Sequence, residues 1–252
     1  MGISSNRLFH FTDKIENLLN ILENNFIPHF SLEKIHNGAL EIGIPMVSFC
    51  DIPLSQIEKH MKIYGNYAIG LSKEWGIENK LNPVFYYNPN SLVDKWMESS
   101  FSQILRNGYT RGGVTKEELL IIKGYLTYSY FSKPYKGSNW NKEKGEFKRT
   151  KRILYNEREW RYVPEESSDE YINFIFKDVY LNKESFQKQN QRLLKRKLFF
   201  NPDNVKYLIV KNETEIISLI KKIEEIKSHF NNNQRRILSS RIITVDQIRN
   251  DF

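Results

Sequence analysis

The chain opens on a short alternation. Along Arg7–Thr12, Leu8, His10 and Thr12 fall on one face of a strand, and Arg7, Phe9 and Phe11 on the other. The period then changes. Ile15, Leu18, Leu19, Leu22 and Phe26 recur at helical spacing and predict an amphipathic helix over 14–25, with Asp13 as its cap and Glu16 completing a capping box. The apolar run Ile44–Cys50 predicts a strand. Asp51-Ile52-Pro53 opens a second helix, whose Leu54, Ile57, Met61 and Tyr64 share a face before Gly65 ends it. Tyr67–Leu71 and Val84–Tyr87 read as strands separated by a short turn.

The middle, about 90–131, reads as a helical insertion: helices over Ser91–Arg106 and Lys116–Phe131, divided by the loop Gly108–Gly113. The polar, glycine-containing stretch from Lys133 to Gly145 predicts a mobile active-site loop over about 133–150, or a surface insertion. Trp160–Val163, Asn173–Phe176 and Val205–Val210 read as strands. Asn212 and Glu215 make a further capping box ahead of a helix over Ile216–His229, and Ile242–Val245 gives a last short strand or helix start. No repeat or linker interrupts the chain, so one domain over 1–252 is expected. Strands at both ends and helices in the middle predict an α+β fold rather than a regular βαβ one.

Composition narrows the class. A chain of 252 residues that is 40% hydrophobic can fill one sizeable core or two small ones. No apolar run is long enough to cross a bilayer, and residues 1–7 lack the apolar stretch of a secretory signal, so a cytoplasmic protein without membrane association is expected. The single cysteine, Cys50, excludes an internal disulfide and reads as a buried thiol. The five histidines never fall at metal-ligand spacing, and no metal is expected.

The net charge of +8 permits nucleic-acid binding without requiring it. One basic stretch holds Lys148, Arg149, Lys151 and Arg152. Another runs through Lys188, Arg192, Lys195, Arg196 and Lys197. Each reads as a solvated face or a nucleic-acid surface. Lys148, Arg149, Lys151, Arg152, Lys195 and Arg196 are the candidate contacts.

Three places could carry chemistry. His10 is a polar group among aromatics on a strand, suited to a hydrogen-bonded core position or to a cleft. Glu157 and Glu159, two apart, would project side by side from a strand. Such proximity raises the pKa of one carboxyl, unless Arg158 and Arg161 pair with them on an exposed surface. Ser48 interrupts an apolar strand. No Gly-x-Ser-x-Gly elbow surrounds it, which argues against a hydrolase nucleophile, and there is no phosphate loop or dinucleotide fingerprint.

The order His10, Ser48, Glu157-x-Glu159 resembles the ADP-ribosyltransferase pattern. That resemblance implies a split antiparallel sheet core with inserted helices, NAD as cofactor, His10 anchoring it and Ser48 supporting its nicotinamide side. Glu159 would contact the nicotinamide ribose as a catalytic residue, with Glu157 beside it. Phe11, Thr12, Tyr64 and Tyr67 are the further candidates for the cofactor site. The opening His10-Phe11-Thr12 with Asn17-Leu18 and Ile21-Leu22 is also similar to DarT-like nucleic-acid ADP-ribosyltransferases, with Asn25 where that pattern commonly carries glycine.

The wording of the first two thirds is more specific. Arg7-Leu8-Phe9-His10-Phe11-Thr12, then Ile44–Leu54 with its Ser48-Phe49-Cys50-Asp51-Ile52-Pro53, His60, Tyr64-Gly65, Tyr67–Gly76, Lys133–Gly137 and Tyr155–Tyr162 resemble the AbiGi family of bacterial abortive-infection proteins over most of 7–165. The resemblance implies a role in phage defence, as one half of a toxin–antitoxin pair with a cognate protein partner. Two functions follow as expectations. One is an NAD-dependent transferase that modifies nucleic acid; the other is a non-catalytic antitoxin or sensor that binds a toxin or nucleic acid.

Overall fold

The computed structural model describes residues 5–35, 40–141, 146–165, 173–226 and 230–251. Thirteen strands and ten α-helices lie along them. The first half runs β1 (Arg7–Thr12), α1 (Ile15–Asn24), β2 (His29–Ile35), β3 (Leu40–Cys50), α2 (Glu58–Tyr64), β4 (Tyr67–Ser72), α3 (Lys73–Glu78), β5 (Asn82–Pro83), β6 (Phe85–Tyr87) and α4 (Leu92–Arg111). Then come α5 (Lys116–Tyr130), β7 (Ser132–Pro134), β8 (Lys136–Asn141), β9 (Glu146–Ile153), β10 (Glu159–Tyr162), β11 (Ile175–Phe176), α6 (Lys177–Leu181) and α7 (Lys183–Arg192). The chain closes with β12 (Val205–Val210), α8 (Thr214–Ile226), α9 (Asn232–Ser239), β13 (Ile242–Thr244) and α10 (Val245–Asp251).

One sheet organises the molecule, in the order β13-β12-β4-β1-β3-β10-β5, with β2 and β11 also paired to β3. It is mixed rather than wholly antiparallel, because β12 and β13 run parallel. On one face, Leu8, Phe49, Trp75 and Leu208 pack with Leu18 and Leu22 of α1 and Leu219 of α8. On the other, Phe9, Cys50 and Ala68 pack with Ile57 at the cap of α2, Met61 of α2 and Val245 of α10. The strand alternation read from Arg7–Thr12 therefore sorts Leu8 and Phe9 to opposite cores.

The sheet is split between β1 and β3. These strands share one register pair, Phe9 with Cys50. The N-terminal half of β3 then leaves to pair with β2 from Leu40 to Met46, and with β11. A cleft of about 1270 Å³ opens along the divergence, walled by Phe9–Thr12 of β1 with Asp13 after it, and by Met46–Cys50 of β3.

Several local expectations need correction. Lys14, not Asp13, occupies the cap of α1 without a side-chain bond; the Asp13 carboxylate instead accepts from Asn17. The strand His29–Ile35 was not anticipated. A helix, Lys73–Glu78, fills what reads as a short turn, with Ser72 capping it through the Trp75 amide. The stretch expected as a mobile loop over 133–150 is ordered secondary structure where described: β7 pairs with β6, and β8 with β9 as a hairpin. The parallel β6–β7 pair also returns the chain after α4 and α5 to the place it left, so the insertion hangs outside the sheet.

Two backbone positions fix the cleft's borders. Gly65 ends α2 at φ 113, where an added Cβ would sit 2.2 Å from the Thr12 carbonyl oxygen. Only glycine lets α2 close this tightly on β1. Asn25 follows α1 at φ 62 and ψ −174, a region that glycine adopts most readily. Its side-chain oxygen accepts from the Phe200 amide at 3.3 Å. Among the described residues no helix is long and apolar enough to cross a membrane.

Candidate active site

The cleft collects seven of the eight residues singled out for catalysis or cofactor binding. His10, Phe11, Thr12, Ser48, Tyr64, Glu157 and Glu159 all line it. Alternation turns His10 toward the Leu8 face and Glu159 toward the Cys50 face. The two reach one cavity because the sheet is open between β1 and β3.

His10 packs edge-on to Phe26 at 5.3 Å and tilted to Phe49 at 5.7 Å between ring centroids. Its Nδ1 lies 2.8 Å from the Ser48 carbonyl oxygen. A carbonyl only accepts, so Nδ1 carries the hydrogen and Nε2 is the acceptor of the neutral ring. Burial pushes the His10 pKa below the usual 6.5, against the Ser48 carbonyl, which raises it. Thr12 is buried with its hydroxyl accepting from Asn17 at 2.8 Å.

Pairing of β10 with β3 sets Arg161 opposite Ser48 and Glu159 opposite Cys50. The Ser48 hydroxyl donates to Glu159 Oε1 at 2.7 Å. Arg161 Nε donates to the same oxygen at 2.7 Å, and Lys133 Nζ lies 2.8 Å from Oε2. Arg161 is wholly buried, and also donates to the Tyr130 carbonyl at 2.6 Å and to Glu33 at 3.1 Å.

The expectation of two carboxylates side by side on a strand is only half right. Glu157 ends a single 3-10 turn, Leu154–Glu157, and Arg158 takes a left-handed φ of 45 before β10 begins. The acids still converge, because Lys133 bridges them at 3.2 Å to Glu157 and 2.8 Å to Glu159. Tyr64 donates to Glu157 at 3.1 Å, and Arg152 lies 3.2 Å from the same carboxylate with its guanidinium over the Tyr64 ring. Glu33, Arg161, Glu159, Lys133, Glu157 and Arg152 thus form an alternating ladder of charge.

That ladder reverses the anticipated electrostatics. Burial would raise the Glu159 pKa, but the charges of Arg161 and Lys133 outweigh it and hold the carboxyl well below the usual range. Burial would likewise lower Lys133, yet Glu159 and Glu157 keep it well above 10.5. The Tyr64 hydroxyl is raised, by burial first and then by Glu157.

Other candidates lie elsewhere. Tyr67 points away from the cleft, its hydroxyl donating to Glu215 at 2.8 Å beside α8. It is half-buried against the Leu8-side core and, unlike the other expected cofactor contacts, does not line the cleft. Arg152, a candidate nucleic-acid contact, is engaged by Glu157 and Tyr64. The side chains of Lys148, Arg149 and Lys151 lie outside the described residues. Lys195 and Arg196 are not among the cleft residues, and Arg196 bonds the Glu165 carbonyl at 3.3 Å. Cys50 is buried 3.4 Å from the Phe9 carbonyl, its thiol pushed up by burial and by Glu157 and Glu159.

Lys133, Glu33, Tyr86 and Arg161 were missed as site residues. Tyr86 sits opposite Lys133 in the β6–β7 pair and accepts from the Glu159 amide at 3.0 Å. Among the described residues no group of His, Cys, Asp and Glu could hold a metal ion.

Residues 25–211 match the family described as "Putative abortive phage resistance protein AbiGi, antitoxin". The chain belongs to the AbiGi family. It is 30% identical to "Abortive phage resistance protein AbiGi" of Lactococcus lactis subsp. cremoris over 242 residues, 90% of this chain and 96% of that protein. The family match therefore runs beyond residue 165 and spans β3, α2, β7 and β10 of the cleft, while β1 lies before it. No solved structure matches.

Proposed function

We propose that this AbiGi-family chain is an NAD-dependent ADP-ribosyltransferase of phage defence, with nucleic acid as acceptor. The observation that carries the reading is the opening of His10, Ser48, Glu157 and Glu159 into one cleft. The cavity, about 1270 Å³, has room for a dinucleotide, with aromatic rings (Phe11, Phe26, Tyr64) for flat heterocycles and Lys34 and Lys136 for phosphates.

In this reading NAD is consumed as a substrate. His10 Nε2 accepts a hydrogen bond from a donor-ribose hydroxyl. Glu159, ionised at every physiological pH, stabilises the positive charge that grows on the ribose as nicotinamide departs. Ser48, Arg161 and Lys133 hold that carboxylate in place, and Glu157 orients the acceptor.

A second reading is favoured by one observation. Both carboxylates are engaged on each oxygen by cations or hydroxyls of the chain itself. A ladder so complete also suits a non-catalytic antitoxin that keeps the cleft and binds a toxin. The test is transfer of label from NAD to phage or host RNA and DNA, with thermal stabilisation by NAD as the binding readout. Labelled nucleic acid supports the transferase. No label and no stabilisation, with relief of a co-expressed neighbour's toxicity, supports the antitoxin.

A further inference from the structure

His60 is the feature of the cleft that the proposed reaction leaves unused. It stands on α2, lines the cavity and is 7% exposed. Among the described residues neither Nδ1 nor Nε2 makes a hydrogen bond of full geometry, and the Glu157 backbone is the polar group that reaches toward the ring. A buried polar group left without a well-formed bond costs folding free energy, so one held inside a cleft points to a ligand.

The ring is held by its neighbours. Its centroid is 6.3 Å from Phe11 of β1 and 6.2 Å from Tyr64, each tilted by 33°. The charged groups facing it are Arg152 of β9 and Glu157 of the turn before β10. On its own helix Tyr64 is the titratable neighbour, and β1 offers only the Phe11 ring. Burial first, then Arg152, push the imidazole below 6.5, while the Glu157 charge and backbone act the other way. The ring is therefore neutral near pH 7, with a lone pair on one nitrogen.

We propose that His60 is the general base of the transfer, taking the proton from an O–H or N–H nucleophile of the nucleic-acid acceptor. This rests on the transferase reading. The acceptor atom forms a bond to C1′ of the donor ribose while the C1′–nitrogen bond to nicotinamide breaks. The bonding pair goes to the nicotinamide ring, which leaves neutral, and the acceptor's proton goes to His60 and then to water. Glu157 is poorly suited to that role, because Tyr64, Arg152 and Lys133 already occupy its oxygens.

The experiment is single-turnover transfer from labelled NAD to the RNA or DNA that wild type modifies, for wild type and His60→Gln, from about pH 5 to 8. The wild-type rate should fall on the acid side with a midpoint below 6.5. His60→Gln should lose about a hundredfold in rate and lose that acid limb, while NAD still raises its melting temperature. A His60→Gln rate within about threefold of wild type, with the same pH profile, overturns the inference and leaves the transferase reading standing. A flat wild-type profile overturns it even where the variant fails to fold. Absence of transfer by wild type overturns both.

Discussion

Ser48 and Glu159 stand 111 residues apart in the chain, and the Ser48 hydroxyl donates to the Glu159 carboxylate at 2.7 Å. The contact is diagonal across the β3–β10 pair, since Arg161 is the residue directly opposite Ser48. Glu159 thus receives a neutral donor from β3, a guanidinium from its own strand and an ammonium from β7. Held on three sides, the carboxylate has little freedom to turn. That fixity is what a group stabilising a developing charge requires, because reorientation during the reaction would cost part of its effect.

Arg161 is the keystone of this arrangement. It is wholly buried, and its removal would strand Glu33 and Glu159 without their guanidinium. Breaking a buried pair in this way costs about 3–5 kcal/mol. Arg161→Ala is expected to lose stability on that order in urea denaturation. Lys would not restore it, having neither the fork geometry nor enough donors to reach Glu33, Glu159 and the Tyr130 carbonyl together.

Acid should destabilise the fold in two stages. His10 and His60 both have folded pKa values below 6.5, so the unfolded chain takes up protons first as pH falls. Stability present above 6.5 is therefore lost as pH drops toward the folded values. Below 4.5 the same sign applies to Glu159, whose folded pKa is depressed. The urea midpoint of wild type should fall between about pH 7 and 5, and His10→Gln should reduce that fall. A midpoint that rises over this interval would contradict the assignment of neutral, buried imidazoles.

Tyr67→Phe separates the cleft from the opposite core. The substitution removes the hydroxyl bond to Glu215 and nothing that lines the cleft. It should cost about 1 kcal/mol in urea denaturation and leave NAD-dependent transfer at the wild-type rate.

Much of the site was legible because its residues interrupt otherwise apolar strands. His10 and Ser48 are polar where the pattern calls for packing, and Glu157-x-Glu159 repeats a charge at short spacing. What the pattern could not convey was how the sheet splits. β2 alternates only briefly: Phe30 and Leu32 are buried in phase, Ile35 falls out of phase, and the polar His29, Ser31, Glu33 and Lys34 leave too short a pattern to announce a strand. Lys133 sits in a polar stretch that resembles a mobile segment, and its place in the cleft follows from the β6–β7 pairing, which joins strands on either side of the α4–α5 insertion. Arg161 likewise reads as a solvated partner of exposed acids. Only tertiary structure reveals a guanidinium buried among them.

Release of nicotinamide from NAD, followed in the presence of phage or host nucleic acid for wild type and Glu159→Gln, bears most directly on the proposed chemistry. Glutamine keeps the size of the side chain, removes its charge and turns one accepting oxygen into a donating amide. Wild type should release nicotinamide at least about a hundredfold faster than Glu159→Gln, with both proteins stabilised by NAD. Equal release by the two proteins, or none from either, would contradict the account.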